Sequence, residues 1–204
     1  MTLKLFLKPG ACSLSPHIAL HEAGLAFTAV KAPTKTHKLD DGTDYYSINP
    51  LGYVPLLELD DGTRLTEGPA IVQYIADQVP AKNLAPANGT LPRYKLQSWL
   101  TFIGTELHKN FTPLFNPAST DDIRNAAQAN IARRLPIAAT ALDAHPYLIG
   151  DSFSVADAYL FTVLSWTGFV KVDITPWPSL AAFVERMKAR PGVHAALAAE
   201  GLDR

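Results

Sequence analysis

The chain has 204 residues, 48% of them hydrophobic, which is enough to build a core without disulfides or metals. Its 18 lysines and arginines nearly balance 19 aspartates and glutamates, and a formal charge of -1 gives no field that would concentrate nucleic acid or anionic lipid. The single cysteine excludes an intramolecular disulfide, and no signal-peptide pattern or membrane-length apolar stretch is found, so we expect a cytoplasmic protein with no membrane or nucleic-acid partner.

Residues 1–80 predict an α/β domain with the element order β-α-β-α-β-β-α. Short apolar runs alternate with helical patterns, and Asp60-Asp61-Gly62-Thr63 between two apolar runs is a strong hairpin signal. The second helix would lie in the loop rich in Lys, Thr and Asp that precedes this hairpin. The other predicted elements are strand 3–7, helix 16–23, strand 27–31, hairpin strands 54–59 and 64–66, and helix 70–79.

Residues 81–92 predict a linker, because Pro, Ala and Asn-Gly replace hydrophobic periodicity there. Residues 93–204 then show only helical patterns and predict an all-α domain. Ser154 and Asp157 have the spacing of a capping box at the start of an almost wholly apolar helix, which we expect at the centre of that domain. The predicted helices are 94–109, 120–143, 154–169, 178–190 and 194–200.

Cys12 lies in the loop between the first predicted strand and the first predicted helix. Unpaired amides and the dipole of a helix N-terminus favour a thiolate, so this position predicts a reactive thiol. Dithiol redox proteins of similar topology have a second cysteine three residues later, where this chain has Ser15, so the thiol needs an external partner. A small cytoplasmic thiol such as glutathione is the natural candidate. The alternative is a buried, inert cysteine.

Two further segments would suit a peptide-like zwitterion. In residues 52–55, a cis bond between Val54 and Pro55 would turn the Val54 N–H and C=O outward to pair with a ligand as an extra strand. The alternative there is an ordinary turn. In residues 66–69, the amides of a helix N-terminus would receive a carboxylate and Glu67 an ammonium group, whereas the alternative is simple helix capping.

The histidines offer one catalytic candidate and no metal site. His108 could donate a hydrogen bond to a sulfur and help to keep it as a thiolate, although a surface or structural histidine is the alternative. His17 and His21 are four residues apart, but Glu22 follows the second histidine instead of the first, so the zinc-protease arrangement is absent. The sequence also lacks the glycine-rich nucleotide motifs and the serine-hydrolase motif.

Five segments together resemble the bacterial beta-class glutathione transferases, and the resemblance extends through both domains to the last residues. It implies a thioredoxin-like N-terminal domain that binds glutathione, an all-α C-terminal domain that carries the electrophile site, and a homodimer with the active site between the domains. The segments are Lys8-Pro9-Gly10-Ala11-Cys12-Ser13-Leu14, Gly52-Tyr53-Val54-Pro55, Thr66-Glu67-Gly68, Glu106-Leu107-His108-Lys109 and Ser154-Val155-Ala156-Asp157-Ala158-Tyr159-Leu160-Phe161.

The same resemblance implies roles for individual residues. Cys12 and His108 would be catalytic, with Cys12 near or bonded to the glutathione sulfur and His108 tuning the thiolate. The residues implied in glutathione binding are Ser13, His37, Lys38, Val54, Pro55, Glu67, Gly68, Thr101, Thr105, Glu106 and Lys109.

Three positions depart from the family pattern. Leu7 replaces an aromatic hydroxyl at the end of the first strand, so a tyrosine-assisted mechanism is not expected there. His37, flanked by Lys35 and Lys38, stands where relatives commonly place a lysine for the glycine carboxylate of glutathione, and any of the three could serve. Thr101 replaces an asparagine, and its shorter side chain reduces the reach of a polar contact.

Three functions follow from these residues. The leading hypothesis is a glutathione transferase that conjugates glutathione to a small hydrophobic electrophile, with halogenated aromatics among the candidates. The second is glutathione-dependent thiol-disulfide exchange or reductive dehalogenation, which requires Cys12. The third is a non-enzymatic protein that binds hydrophobic ligands or a protein partner, because fold does not fix function.

Overall fold

The computed structural model describes residues 2–203, which separate into two compact units. One unit comprises the residues up to Leu84 together with those from Arg190 onward, and the other is Ala85–Ala189. The sequence pattern placed all of residues 93–204 in the helical domain, whereas the last helix groups with the first unit. This difference arises because the last helix packs along the first helix of the chain.

The first unit is built on a mixed sheet whose strand order is β2-β1-β3-β4. Strand β1 is parallel to β2 and antiparallel to β3, and β3 is antiparallel to β4, as the hairpin signal predicted. The central strand β1 leads directly into the cysteine loop. The strands are β1 Leu3–Leu7, β2 Phe27–Lys31, β3 Leu56–Glu58 and β4 Arg64–Thr66.

Three α-helices among the described residues belong to the first unit. They are α1 (Leu14–Ala23), α2 (Gly68–Gln78) and α8 (Pro191–Glu200), the last of which packs against α1. Helix α1 ends where the sequence predicts, because Gly24 adopts the left-handed conformation, with φ of 68°, that stops a helix. The sheet and these helices position the cysteine loop between β1 and α1.

The helix expected between β2 and β3 is reduced to a single 3-10 turn, Tyr45–Ser47. Short polar side chains satisfy the backbone of this segment locally: the Thr43 amide donates to Asp41 Oδ1 at 2.9 Å and the Tyr46 amide donates to Asp44 Oδ1 at 3.0 Å. Such aspartate bonds stabilise turns in competition with a helix, so the segment remains a series of turns.

The second unit is helical, and its central feature is an almost wholly buried helix, as predicted. Every residue of the central helix from Val155 to Leu164 is buried. The predicted capping box is also present, because the Ser154 amide donates to Asp157 Oδ2 at 2.8 Å. No helix within residues 2–203 is long and apolar enough to cross a membrane. The helices are α3 Leu91–Phe102, α4 Lys109–Phe115, α5 Asp121–Ala144, α6 Val155–Ser165 and α7 Pro178–Lys188.

Helices α3 and α4 are joined by a π-helical segment, Ile103–His108. The sequence pattern predicted one uninterrupted α-helix over residues 94–109, so this change of helical type was missed. A π-helical turn contains an extra residue and rotates the side chains that follow it, and such turns are frequent at functional sites. The segment carries the candidate residue His108.

Candidate functional site

The cysteine loop is fixed from within by Ser13. Its side chain is fully buried, accepts a hydrogen bond from the Lys8 amide at 3.0 Å and donates one to the Lys8 carbonyl at 3.1 Å. The hydroxyl proton is thus used to close the loop, so the side chain that the family resemblance implies in glutathione binding bonds to the protein's own backbone here. Cys12, by contrast, is only partly buried.

The Cys12 thiol meets the segment that precedes β3. Its Sγ atom donates to the Val54 carbonyl oxygen at 3.1 Å, and the Val54–Pro55 peptide bond is cis. Two side chains hold the preceding residue, because the Tyr45 hydroxyl and the Asn49 amide both donate to the Tyr53 carbonyl, at 2.8 and 2.7 Å. Burial raises the pKa of Tyr45 to about 12, so its hydroxyl stays a donor. No local sequence pattern indicates these two hydrogen bonds.

The start of α2 lies beside the same proline. A Cβ atom built on Gly68 would be 3.9 Å from Pro55 Cγ, so the two predicted residues are neighbours. Glu67 precedes the helix with φ of 67°, a conformation that residues other than glycine adopt rarely and that clusters at ligand sites. Its side chain is exposed. The structure therefore brings Cys12, Val54, Pro55 and Gly68 together within the first unit.

His37 is held in a defined position, whereas its lysine neighbours are exposed. Its φ is 52°, and its ring packs against Tyr46 with centroids 4.3 Å apart and the ring planes tilted by 33°. The Nδ1 atom is buried and has no hydrogen-bond partner among the described residues. Both Lys35 and Lys38 belong to the exposed residues of the chain.

A residue that the sequence analysis did not single out, Glu200, anchors the cysteine loop from the end of α8. Its Oε2 atom accepts a hydrogen bond from the Gly10 amide at 2.8 Å, and its Oε1 atom lies 2.8 Å from His17 Nδ1. The side chains of Glu200 and His17 are almost completely buried. His17 is therefore paired with Glu200, and no group of three metal-ligating side chains occurs in residues 2–203. At the other end of α8, Arg190 forms a two-bond ion pair with Glu22.

In the second unit, His108 lies in an aromatic cluster. Its Nδ1 atom is 2.7 Å from the Tyr159 hydroxyl, and its ring meets the Trp166 ring edge-on with centroids 4.9 Å apart. Trp166 also contacts Phe111 and Phe115 at centroid distances of 5.5 and 5.7 Å. Burial lowers the pKa of His108 to about 4, so the imidazole is neutral near pH 7.

The other predicted residues of this unit are spread along α3, the π-helical segment and α4. Glu106 is paired with Arg134, whose Nε atom donates to Glu106 Oε2 at 2.6 Å. The Thr105 hydroxyl donates to the Thr101 carbonyl at 3.0 Å, which leaves its oxygen free only as an acceptor. The side chains of Thr101, Thr105 and Lys109 are exposed.

Comparisons with known proteins identify the family. The family model described as "Glutathione S-transferase, N-terminal domain" matches residues 10–78, and the model described as "Glutathione S-transferase, C-terminal domain" matches residues 102–191. A relative from Escherichia coli O157:H7, glutathione S-transferase GstA, is 48% identical over 200 residues, covering 98% of this chain and 100% of the relative.

Two solved structures agree with this family. The ternary complex of BphK, a bacterial GST, is 59% identical with a TM-score of 0.96, covering 98% of this chain and 100% of the other. The beta-class enzyme of Sphingomonas chungbukensis is 50% identical with a TM-score of 0.94, covering 98% and 99%. The chain therefore belongs to the glutathione S-transferases, a family of transferase enzymes, and its relatives include the bacterial beta class.

Proposed function

We propose that this transferase binds glutathione along the Val54–Pro55 segment of the first unit and conjugates it to a small hydrophobic electrophile. The observation that carries the proposal is the contact of the Cys12 thiol with the Val54 carbonyl, beside Pro55 and the start of α2. An extended tripeptide can pair with an exposed backbone edge as an additional strand. Val54 supplies the backbone groups for the cysteinyl part of glutathione, and Cys12 lies where the glutathione sulfur arrives.

The two ends of glutathione are proposed to bind at opposite sides of this segment. The amides at the start of α2, including that of Gly68, suit the γ-glutamyl carboxylate, and the Glu67 carboxylate suits its ammonium group. His37 is the residue we propose for the glycine carboxylate. Its ring is held by packing against Tyr46, so it loses less conformational entropy on binding than the exposed Lys35 or Lys38 would.

Catalysis is proposed to come from stabilising the glutathione thiolate. His108 is neutral near pH 7 and can therefore give one N–H to the sulfur without carrying a charge. Thr101, Thr105, Glu106 and Lys109 are proposed to contribute polar contacts from the same stretch, as the family resemblance implies. Cys12 is proposed to position glutathione and to be dispensable for conjugation.

The aromatic cluster around His108 favours an aromatic electrophile. Phe115 is 51% exposed although it packs against Trp166 and Phe111, so it offers an aromatic face to solvent. Aromatic rings stack or meet edge-on with such a face. Halogenated aromatics fit this surface, because they combine a ring with a leaving group that a thiolate displaces.

We also propose a homodimer. Leu51 and Tyr53 are 57% and 67% exposed, and the nearby Tyr46 is 47% exposed. Large apolar side chains grouped within one short stretch are typical of an interaction surface. Sedimentation equilibrium measures the mass directly, and a monomeric mass at micromolar concentration would contradict this proposal.

The main test combines retention on immobilised glutathione with conjugation of chlorodinitrobenzene. We expect the protein to be retained and active. Cys12→Ala should keep the conjugation rate within about tenfold of the parent, whereas His108→Gln should lower it by about a hundredfold, in the range found for one lost transition-state donor. Failure to bind glutathione would favour a non-enzymatic binding protein instead.

A second reaction, thiol-disulfide exchange, rests on the partial exposure of Cys12. Its test is the reduction of a mixed disulfide between glutathione and a small thiol. Cys12→Ala should abolish this activity, because no other thiol is present in the chain. If Cys12→Ala abolishes conjugation as well, the role proposed here for Cys12 is wrong.

A further inference from the structure

His108 forms a partly buried hydrogen bond with Tyr159 that has no role in the catalytic step proposed above. Tyr159 belongs to the central helix α6 and is only 5% exposed, and its hydroxyl lies 2.7 Å from His108 Nδ1. A neutral imidazole has one N–H donor and one bare nitrogen acceptor, and the hydrogen bond at one nitrogen decides which nitrogen keeps the proton. The hydrogen bond with the Tyr159 hydroxyl therefore determines which tautomer His108 adopts.

The direction of this hydrogen bond follows from the acidity of the two groups. A phenol hydroxyl, with an ordinary pKa of about 10, is a stronger acid than a neutral imidazole N–H, and the bare imidazole nitrogen is the stronger base. The favoured arrangement has the Tyr159 hydroxyl donating to Nδ1. The proton of the neutral ring then resides on Nε2.

The surroundings of the pair keep this arrangement rigid. The His108 ring is held edge-on against Trp166 and also against Tyr159, at centroid distances of 4.9 and 5.9 Å. Gly104, one π-helical turn earlier, brings its backbone close to the same hydroxyl, because a Cβ atom built there would lie 3.5 Å from Tyr159 Oη. The π-helical segment therefore places His108 within hydrogen-bond distance of the Tyr159 hydroxyl.

We propose that Tyr159 is a positioning residue that fixes His108 as the Nε2–H tautomer, so that Nε2 is the ring nitrogen that can donate a hydrogen bond. The role of that donor in catalysis rests on the proposed function. The tautomer itself is a property of the unliganded protein and does not depend on any activity.

Nuclear magnetic resonance tests the tautomer directly. In protein labelled with nitrogen-15 histidine, a long-range proton-nitrogen spectrum distinguishes the protonated from the bare ring nitrogen, and His108→Gln identifies the signals. We expect the Nε2–H pattern in the parent protein near pH 7. Tyr159→Phe retains the ring but removes the donor, so its His108 signals should shift to the Nδ1–H tautomer or to an average of both. Tyr94→Phe, which removes an exposed hydroxyl from α3 in the same unit, should leave them unchanged.

Kinetics then separate this inference from the proposed function. We expect Tyr159→Phe to lower kcat for conjugation by about tenfold with little change in the KM for glutathione, as for the loss of about one hydrogen bond. An Nδ1–H tautomer in the parent protein, or unchanged signals in Tyr159→Phe, would overturn the inference. An Nε2–H tautomer together with full conjugation activity in His108→Gln would leave the inference intact and contradict the proposed function.

Discussion

Cys12 Sγ lies 3.1 Å from the carbonyl oxygen of Val54, although 42 residues separate them in the chain. This contact requires a proton on the sulfur and is lost in the thiolate, so the Val54 carbonyl stabilises the thiol form. The helix N-terminus beside Cys12 acts in the opposite direction. The same carbonyl belongs to the backbone edge that is proposed to pair with glutathione.

Occupation of that edge should therefore shield Cys12 from alkylation. Because the chain contains one cysteine, any label from iodoacetamide reports Cys12 alone. Saturating S-methylglutathione, which cannot exchange thiols, should slow the alkylation by about tenfold or more. Mass spectrometry over time measures the rate. Glu67→Ala should need more ligand for the same protection, and an unchanged rate in the parent protein would contradict the proposed binding position.

Gly52 is the second point at which the glutathione segment can be tested. A Cβ atom there would lie 2.7 Å from Tyr46 Cε1 and 2.8 Å from His37 Cε1, and φ is 66°. Gly52→Ala should displace the His37 ring and lower the free energy of unfolding by about 2 to 4 kcal/mol. Gly62→Ala is the matched control, because Gly62 has φ of 82° with no atom within 4 Å of its Cβ position.

Gly62→Ala should lower the free energy of unfolding by only about 1 kcal/mol, because it introduces backbone strain and no close contact. Urea unfolding of both variants, together with their affinity for glutathione, gives the comparison. Equal losses of stability would show that the packing of His37 and Tyr46 against Gly52 is unimportant. A weaker affinity for glutathione only in Gly52→Ala would support His37 as a binding residue.

The capping box is a buried polar feature of the second unit. Asp157 is fully buried and accepts hydrogen bonds from the Leu148 amide, the Ser154 amide and the Ser154 hydroxyl, at 2.7 to 2.8 Å. Asp157→Ala leaves these buried donors without a partner and should lower the free energy of unfolding by about 3 to 5 kcal/mol. Asp151→Ala, at a solvent-exposed carboxylate, should change it by less than about 0.5 kcal/mol. A similar result for both variants, measured by urea unfolding, would contradict this account of the helix.

The features that could be predicted from the sequence are those encoded within a few residues. The cysteine loop, the hairpin, the segment before Pro55 and the capping box each have a local pattern, and each was found. Glu200 had no such pattern, because its partner His17 is 183 residues away and the pairing exists only when α8 packs on α1. Tyr159 is likewise 51 residues from His108.

Two features were missed for a different physical reason. The sequence cannot show that the Ser13 hydroxyl closes the loop onto Lys8. The helix expected between β2 and β3 was replaced by turns, because the aspartates of that loop satisfy backbone amides that a helix would use.

The pH dependence of stability should show opposing contributions from His108 and Asp157. Burial lowers the pKa of His108 to about 4, against about 6.5 in an unfolded chain, so the unfolded state binds more protons between these values. This contribution is fully present above about pH 6.5 and is lost as the pH falls towards 4. Burial raises the pKa of Asp157 to about 6, so its contribution is present at low pH and is lost as the pH rises towards 6.

The two contributions should nearly cancel in the parent protein between about pH 4 and 6. In His108→Gln, the contribution of Asp157 is no longer offset by that of His108, so the slope of the free energy of unfolding against pH should be more negative than in the parent protein. In Asp157→Asn, the slope should be more positive than in the parent protein. Urea unfolding at a series of pH values measures the slopes, and slopes equal to that of the parent protein in both variants would show that these groups do not control the dependence.

The bond between Glu200 and the Gly10 amide predicts that the end of α8 controls the reactivity of Cys12, two residues further along the loop. Glu200→Ala leaves the Gly10 amide and His17 without their shared partner and should lower the free energy of unfolding by about 2 to 4 kcal/mol. Arg190→Ala is the matched control, because it removes an ion pair between α8 and α1 at the opposite end of α8.

Both variants weaken the packing of α8, but only Glu200→Ala releases the cysteine loop. We expect the alkylation rate of Cys12 and its dependence on pH to change in Glu200→Ala and to match the parent protein in Arg190→Ala. Glu200→Gln should restore the parent behaviour, because a carboxamide can accept from the Gly10 amide through its oxygen and donate to His17 Nδ1 through its nitrogen. If Arg190→Ala alters the alkylation of Cys12 as much as Glu200→Ala does, then α8 acts through general packing and the specific bond to Gly10 has no separate role.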